Sequence, residues 1–185
     1  YEFIDEIHNT TFADVIRRNT SIEGDQVNDY AFFEPYYHPF QPDCRIGLDP
    51  DYSYHQGDDV YNQSGEGQSI AISGRARRTS HFHISVENDG AFYNHLVFSV
   101  GAPMRKTSLA CYDKGSGDLA NVTAAMRAGL HEPVLEPGEV REHEFHLRGG
   151  KAKRGKRVRG SLRFHAENYY DGWGSDVVTA RVNLR

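Results

Sequence analysis

Within residues 79–87, polar and apolar side chains alternate without a break from His81 onward. Phe82, Ile84 and Val86 share one face, and His81, His83 and Ser85 share the other. A period of two belongs to a half-buried β-strand and to no helix. The same period returns at Leu96, Phe98 and Val100, at Phe145 and Leu147, at Leu162, Phe164 and Ala166, and at Val178, Ala180, Val182 and Leu184. Residues 68–73 and 107–112 add two shorter candidates. Asn88-Asp89-Gly90, Pro137-Gly138 and Gly172-Trp173-Gly174 supply turns between them. One short helix is expected within residues 121–128, stopped by Gly129. A parallel α/β fold needs repeated crossover helices of ten or more residues, and the sequence has none. Six or seven short strands at this spacing predict an all-β fold, an antiparallel β-sandwich over residues 43–185. Asn88-Asp89-Gly90 also predicts a hairpin of residues 79–87 with 94–100, which sets His83 opposite His95 and leaves His81 on the same face.

Residues 1–42 read differently, as an N-terminal arm. Tyr1 to Ile7 has the pattern of an extended strand. Thr11 to Asn19 has that of a short helix, capped by Thr10 or Thr11, with Asp14 in its first turn and Arg17 and Arg18 in its last. Tyr30 to Phe40 is dense in aromatics and broken by Pro35 and Pro39, which exclude a helix or a central strand. The net charge of −5 conceals a polarity. Residues 1–66 hold 14 acids and three bases, and residues 67–185 hold 12 acids and 18 bases. No stretch reaches 18 apolar residues, so no membrane-spanning helix is expected. There is no basic-then-apolar start, so no signal peptide is expected on the chain as given.

Two cysteines, Cys44 and Cys111, lie 67 residues apart and outside any C-x-x-C pair. A disulfide between them is expected in an exported protein; two buried free thiols are the other reading. Four N-x-S/T sequons, at Asn9, Asn19, Asn62 and Asn121, suit surface glycosylation, although Asn and Thr also collect in turns.

Catalytic patterns are missing: there is no G-x-S-x-G, no H-E-x-x-H and no phosphate-binding glycine loop. A non-enzyme is expected. His81, His83 and His95, brought together by the expected hairpin, form a candidate site for zinc, copper or nickel; an ordinary polar face is the alternative. Asp49, Asp51, Asp58 and Asp59 crowd a Gly- and Pro-containing loop, and such hard oxygen donors suit calcium. No other cofactor is expected. Arg148, Lys151, Lys153, Arg154, Lys156, Arg157 and Arg159 put seven bases into 12 residues. The run lacks the interleaved aromatics of a nucleic-acid surface, so nucleic acid is not an expected partner. A solvated loop, or a docking partner for the acidic N-terminal third, fits better.

Pro42-Asp43-Cys44-Arg45-Ile46-Gly47 and Gly57-Asp58-Asp59-Val60-Tyr61-Asn62-Gln63-Ser64-Gly65-Glu66-Gly67-Gln68 resemble the opening of immunoglobulin-like modules in secreted and cell-surface bacterial proteins. The resemblance continues at Val86-Glu87-Asn88-Asp89-Gly90, Val122-Thr123-Ala124-Ala125, Ala128-Gly129 and Pro133-Val134-Leu135-Glu136-Pro137-Gly138-Glu139. It is similar to CARDB-type adhesion-related sandwiches and covers residues 42–185. It implies an immunoglobulin-like fold, an extracellular or cell-surface location and a spacer or binding role, and says almost nothing of activity. Three departures stand out: a single copy in place of an array, the arm, and cysteine where the opening motif has Gly. They point to a stand-alone subunit.

These readings combine into an exported structural protein that self-associates, its partner a second copy of itself and its product an extracellular filament. Tyr1, Phe3 and Ile7 lie in the strand to be added to a neighbour. Phe32, Phe33, Tyr36, Tyr37 and Phe40 are candidate anchors, and Lys153, Arg154, Lys156 and Arg157 candidate charge partners. A carbohydrate- or surface-binding module is the alternative, with Tyr52, Tyr54, Tyr61, Tyr169, Tyr170 and Trp173 as its platform. An accessory domain of a larger surface protein is a third reading.

Overall fold

The structure, a computed structural model, describes residues 40–75, 77–115, 119–150, 157–170 and 174–185. The arm's expected strand, helix and aromatic stretch up to residue 39, and the centre of the basic loop, lie outside these residues.

Ten strands and one α-helix are found among the described residues: β1 (Pro42–Gly47), β2 (Ser69–Gly74), β3 (Thr79–Asn88), β4 (Asn94–Val100), β5 (Thr107–Asp113), β6 (Ala120–Asn121), α1 (Thr123–Ala128), β7 (Val134–Leu135), β8 (Val140–Gly149), β9 (Val158–Asn168) and β10 (Ser175–Leu184). They form two sheets, ordered β1-β3-β8-β5-β6 and β2-β10-β9-β4-β7. The fold is an all-β sandwich. Its core is built from the inward faces that alternation marked: Phe82, Ile84 and Val86 on β3, Leu96 and Phe98 on β4, Phe145 and Leu147 on β8, Leu162, Phe164 and Ala166 on β9, and Val178 to Leu184 on β10. Phe82 and Phe145 stack across β3 and β8 with centroids 4.9 Å apart. The helix α1 ends at Gly129 in the left-handed region, where its N–H closes the last turn onto Ala125 and Met126.

Three expectations are corrected. The hairpin of residues 79–87 with 94–100 does not form. β3 pairs with β1 and β8, and β4 pairs with β9 and β7, so Asn88-Asp89-Gly90 carries the chain from one sheet to the other. The side chain of Asn88 stabilises this crossing by donating to the carbonyls of Phe92 at 2.8 Å and Leu135 at 3.0 Å. Second, the pairing is not wholly antiparallel, because β2 runs parallel to β10, from Ser69 beside Thr179 to Gly74 beside Leu184. Third, Cys44 and Cys111 are both buried and free. They sit on β1 and β5 of the same sheet, with β3 and β8 between them. Three strand spacings amount to roughly 14 Å, and a disulfide tolerates a Cα separation of at most about 7 Å.

Candidate functional site

A sandwich exposes four sheet edges, and unpaired backbone groups there invite another chain. Three are closed by the protein's own residues. On β1, Ile46 exchanges both backbone hydrogen bonds with Gln56, at 2.9 and 2.8 Å, and the Cys44 N–H reaches the Asp176 carboxylate at 2.8 Å. On β5, Thr123 Oγ1 accepts the Cys111 N–H at 2.8 Å, Val122 donates to the Cys111 carbonyl at 3.0 Å, and Arg127 Nη2 donates to the Leu109 carbonyl at 3.1 Å. Helix α1 therefore works as an edge cover. On β4, Leu96 and Phe98 donate to Pro133 and His131 at 3.0 and 2.8 Å, just beyond the short β7 pairing.

β2 is different. Thr179 donates to the Gln68 carbonyl at 2.9 Å and Arg185 to that of Gly74 at 3.0 Å, so the even-numbered backbone groups face β10. The N–H and C=O groups of Ser69, Ala71 and Ser73 consequently face outward. Among the described residues none pairs with them. Ile70 and Ile72 anchor the strand by their burial, while Ala71 and Ser73 are exposed. Among the described residues no lysine, proline or bulge guards this edge, and the outer face beside it carries Arg159 and Arg163 on β9 and Arg181 on β10, all exposed.

The histidines gather differently from the expectation. His95 lies in the other sheet from His81 and His83, because the hairpin does not form. It stacks instead on Tyr169 at 4.5 Å, with Tyr170 edge-on at 5.8 Å. The cross-strand partner of His81 is His146 on β8, and that of His83 is Glu144. Glu144 Oε1 lies 2.9 Å from His81 Nδ1 and 2.7 Å from His146 Nε2. These are hydrogen-bond lengths, so one carboxylate oxygen joins two imidazole N–H groups. The bond from His81 holds the Glu144 carboxyl below its ordinary value. His83 is buried beneath the segment bearing His55, whose ring stacks over it at 6.4 Å.

The four aspartates do not converge on one ion-sized point. Asp51 caps the short 3-10 turn Tyr52–Tyr54 by accepting from Ser53 N–H at 3.0 Å, and Asp49 accepts from Asp51 N–H at 2.9 Å. Asp58 pairs with Arg45 at 2.7 Å, and Asp59 accepts from the Tyr61 hydroxyl at 3.0 Å. Arg45 also binds Asp43 and Glu87. Among the described residues, groups of three or more ligating side chains are His81, Glu144 and His146, and Asp113, His131 and His143.

The second group escaped the sequence reading, although a signal was present. Asp113 follows Leu109 and Cys111 on the inward face of β5, and His143 precedes Phe145 and Leu147 on that of β8. A polar residue in phase with core positions marks them both.

Of the sequons, Asn121 is exposed, while the Asn62 side chain closes its own loop, accepting from Gly65 N–H at 2.6 Å and donating to the Glu66 carbonyl at 2.9 Å. Asn9 and Asn19 lie outside the described residues. So do the expected self-association residues other than Phe40, whose ring meets Phe92 at 6.2 Å, and Arg157, which is exposed.

No family model matches the chain, and no curated protein matches it. Among solved structures it is similar to a FixG-related protein from Vibrio parahaemolyticus, at 13% identity over 80% of this chain and 98% of that one, with a TM-score of 0.43. It is similar to a family 123 glycoside hydrolase from Clostridium perfringens, at 9% identity over 78% of this chain and 27% of that one, with a TM-score of 0.46. It is also similar to BcpA, the major pilin subunit of Bacillus cereus, at 12% identity over 77% of this chain and 40% of that one, with a TM-score of 0.42. The chain thus spans about a quarter of the hydrolase and two fifths of the pilin.

Proposed function

We propose that the protein is an exported, non-enzymatic structural subunit that self-associates, the arm of one copy adding as a strand to the β2 edge of the next. The observation that carries this reading is the contrast among edges: among the described residues three are closed by the chain's own groups, and the outward groups of β2 have no partner. Tyr1 to Ile7 suits that edge in length and charge. Its acids, Glu2, Asp5 and Glu6, would lie beside a face bearing Arg159, Arg163 and Arg181. Strand addition gives main-chain hydrogen bonds at each step, and a head-to-tail contact that does not close on itself propagates into a filament. The resemblance to CARDB-type surface modules agrees with an extracellular or cell-surface location.

Sedimentation of the full chain and of a form lacking residues 1–39 tests the proposal. The truncated form should stay monomeric and should bind a synthetic peptide of residues 1–12. Polymerisation of the truncated form would overturn the arm's role.

A second reading has its own support. The stack of His95 on Tyr169, with Tyr170 exposed beside it, is a platform of the kind sugar rings pack against. Binding of the truncated monomer to a glycan array would favour it.

A further inference from the structure

We infer that Asp113, His131 and His143 form a zinc site at one end of the sandwich interior. Three separate elements deliver the ligands. Asp113 is the last residue of β5, and His143 is its direct cross-strand partner on β8. His131 lies in the segment before β7, fixed by the Phe98 N–H donated to its carbonyl at 2.8 Å. The two Nε2 atoms are 3.1 Å apart, the rings stand at 89° to each other, and Asp113 Oδ2 is 3.4 Å from His131 Nε2.

The 3.4 Å spacing matches that of ligands around an ion, and the 3.1 Å spacing needs to open by only a few tenths of an ångström. Ligands bonded at about 2.0–2.2 Å in a tetrahedron stand roughly 3.3–3.5 Å from one another. A proton serves the triangle less well. It joins the two nitrogens at 3.1 Å, but 3.4 Å leaves the carboxylate at a weak distance. The outer group of His81, Glu144 and His146 shows the contrast, with 2.9 and 2.7 Å contacts to one oxygen that an ion would have to push apart.

The surroundings prepare the donors. His143 is fully buried, with Phe98 edge-on at 5.2 Å and Phe164 at 6.2 Å. Burial holds His143, and also His131, below the ordinary imidazole value, and the neutral imidazole is the form that ligates a metal. Both oxygens of Asp113 are held from outside the triangle: Arg141 Nη2 donates to Oδ2 at 2.7 Å and Gly115 N–H to Oδ1 at 2.8 Å. Such outer contacts orient a ligating carboxylate. The His131 side chain keeps 13% of its surface exposed, so water can reach a fourth position from that side. Two imidazoles, one carboxylate and a solvent ligand make a borderline donor set that suits zinc, with cobalt as its spectroscopic substitute.

The test is metal uptake by the full chain. Dialysis against zinc followed by metal analysis should leave about one equivalent on the parent protein. Cobalt should give the strong visible absorption of a four-coordinate centre, and zinc should raise the melting temperature. His131→Ala should weaken zinc binding at least tenfold, whereas the double variant His81→Ala/His146→Ala should keep it. If His131→Ala does not fold, His131→Gln replaces it with the same expected loss. No uptake by the parent, or uptake that survives loss of His131 and disappears with His81 and His146, would overturn the assignment.

Discussion

The carboxylate of Asp176 accepts the backbone N–H of Cys44 at 2.8 Å, joining the first strand of one sheet to the last strand of the other. It also accepts from Asn62 N–H and Gln68 Nε2, both at 2.9 Å. Asp176→Ala leaves these buried donors without an acceptor, each worth about 1–3 kcal/mol. A loss of about 3–5 kcal/mol is expected in urea unfolding. Asp176→Asn keeps one acceptor oxygen and should lose less.

Burial lifts the Asp43 carboxyl from 3.8 to about 7, against the pull of Arg45. In the unfolded chain the same group ionises near 3.8. Between those values the folded state holds a proton that the unfolded state has released, so this group weakens the fold as pH rises, and its effect is complete above about pH 7. Asp43→Asn cannot ionise. Its stability relative to the parent should therefore increase from about pH 5 to about pH 8, by on the order of 1 kcal/mol or more. A difference that does not change with pH counts against this account.

Cys111 is pushed up to about 12 by burial, and Cys44 is raised by burial beside Asp176 and Asp43. Neither thiol is a nucleophile at neutral pH. The native protein should resist iodoacetamide, take up two labels after unfolding, and have the same unfolded mass with and without reductant. A mass two units lower without reductant would mean that a disulfide had formed.

Proline at Ala71 should separate assembly from folding. The Ala71 N–H points away from β10, so its loss breaks no described hydrogen bond, and edge strands tolerate proline. The melting temperature of Ala71→Pro should fall by no more than a few degrees, while sedimentation of the full chain should show monomer. Assembly that persists would place the contact elsewhere.

Gly57, next to Gln56, packs closely against the backbone of β1. It has φ +112°, and a Cβ there would stand 2.6 Å from the Cys44 carbonyl oxygen. Gly57→Ala should cost about 2–3 kcal/mol in the same unfolding measurement.

The inward faces of the long strands were legible because alternation is a local property. Phe82, Phe98, Phe145, Phe164 and Leu184 all fall where the period of two puts them. Sheet membership was not legible. Asn88-Asp89-Gly90 has the local chemistry of a hairpin turn, yet its direction is decided by Asn88 bonding to Leu135, 47 residues away. β6 and β7 have two residues each and no period to read. The candidate metal ligands were hidden for a related reason: alternation marks apolar residues, so Asp113 and His143 passed as interruptions of a core face. His131 lies in a segment with no period at all.

The parallel pairing of β2 with β10 has a consequence for synthesis. Ser69 leaves the ribosome about 110 residues before its partner Thr179. At about 5–20 residues per second, that is a wait of roughly 5–20 s. For that time β2 has no sheet partner, and both of its edges are available to any passing chain. The strand proposed to receive a neighbour's arm is thus most open to premature or mistaken pairing before the chain's own last strand exists.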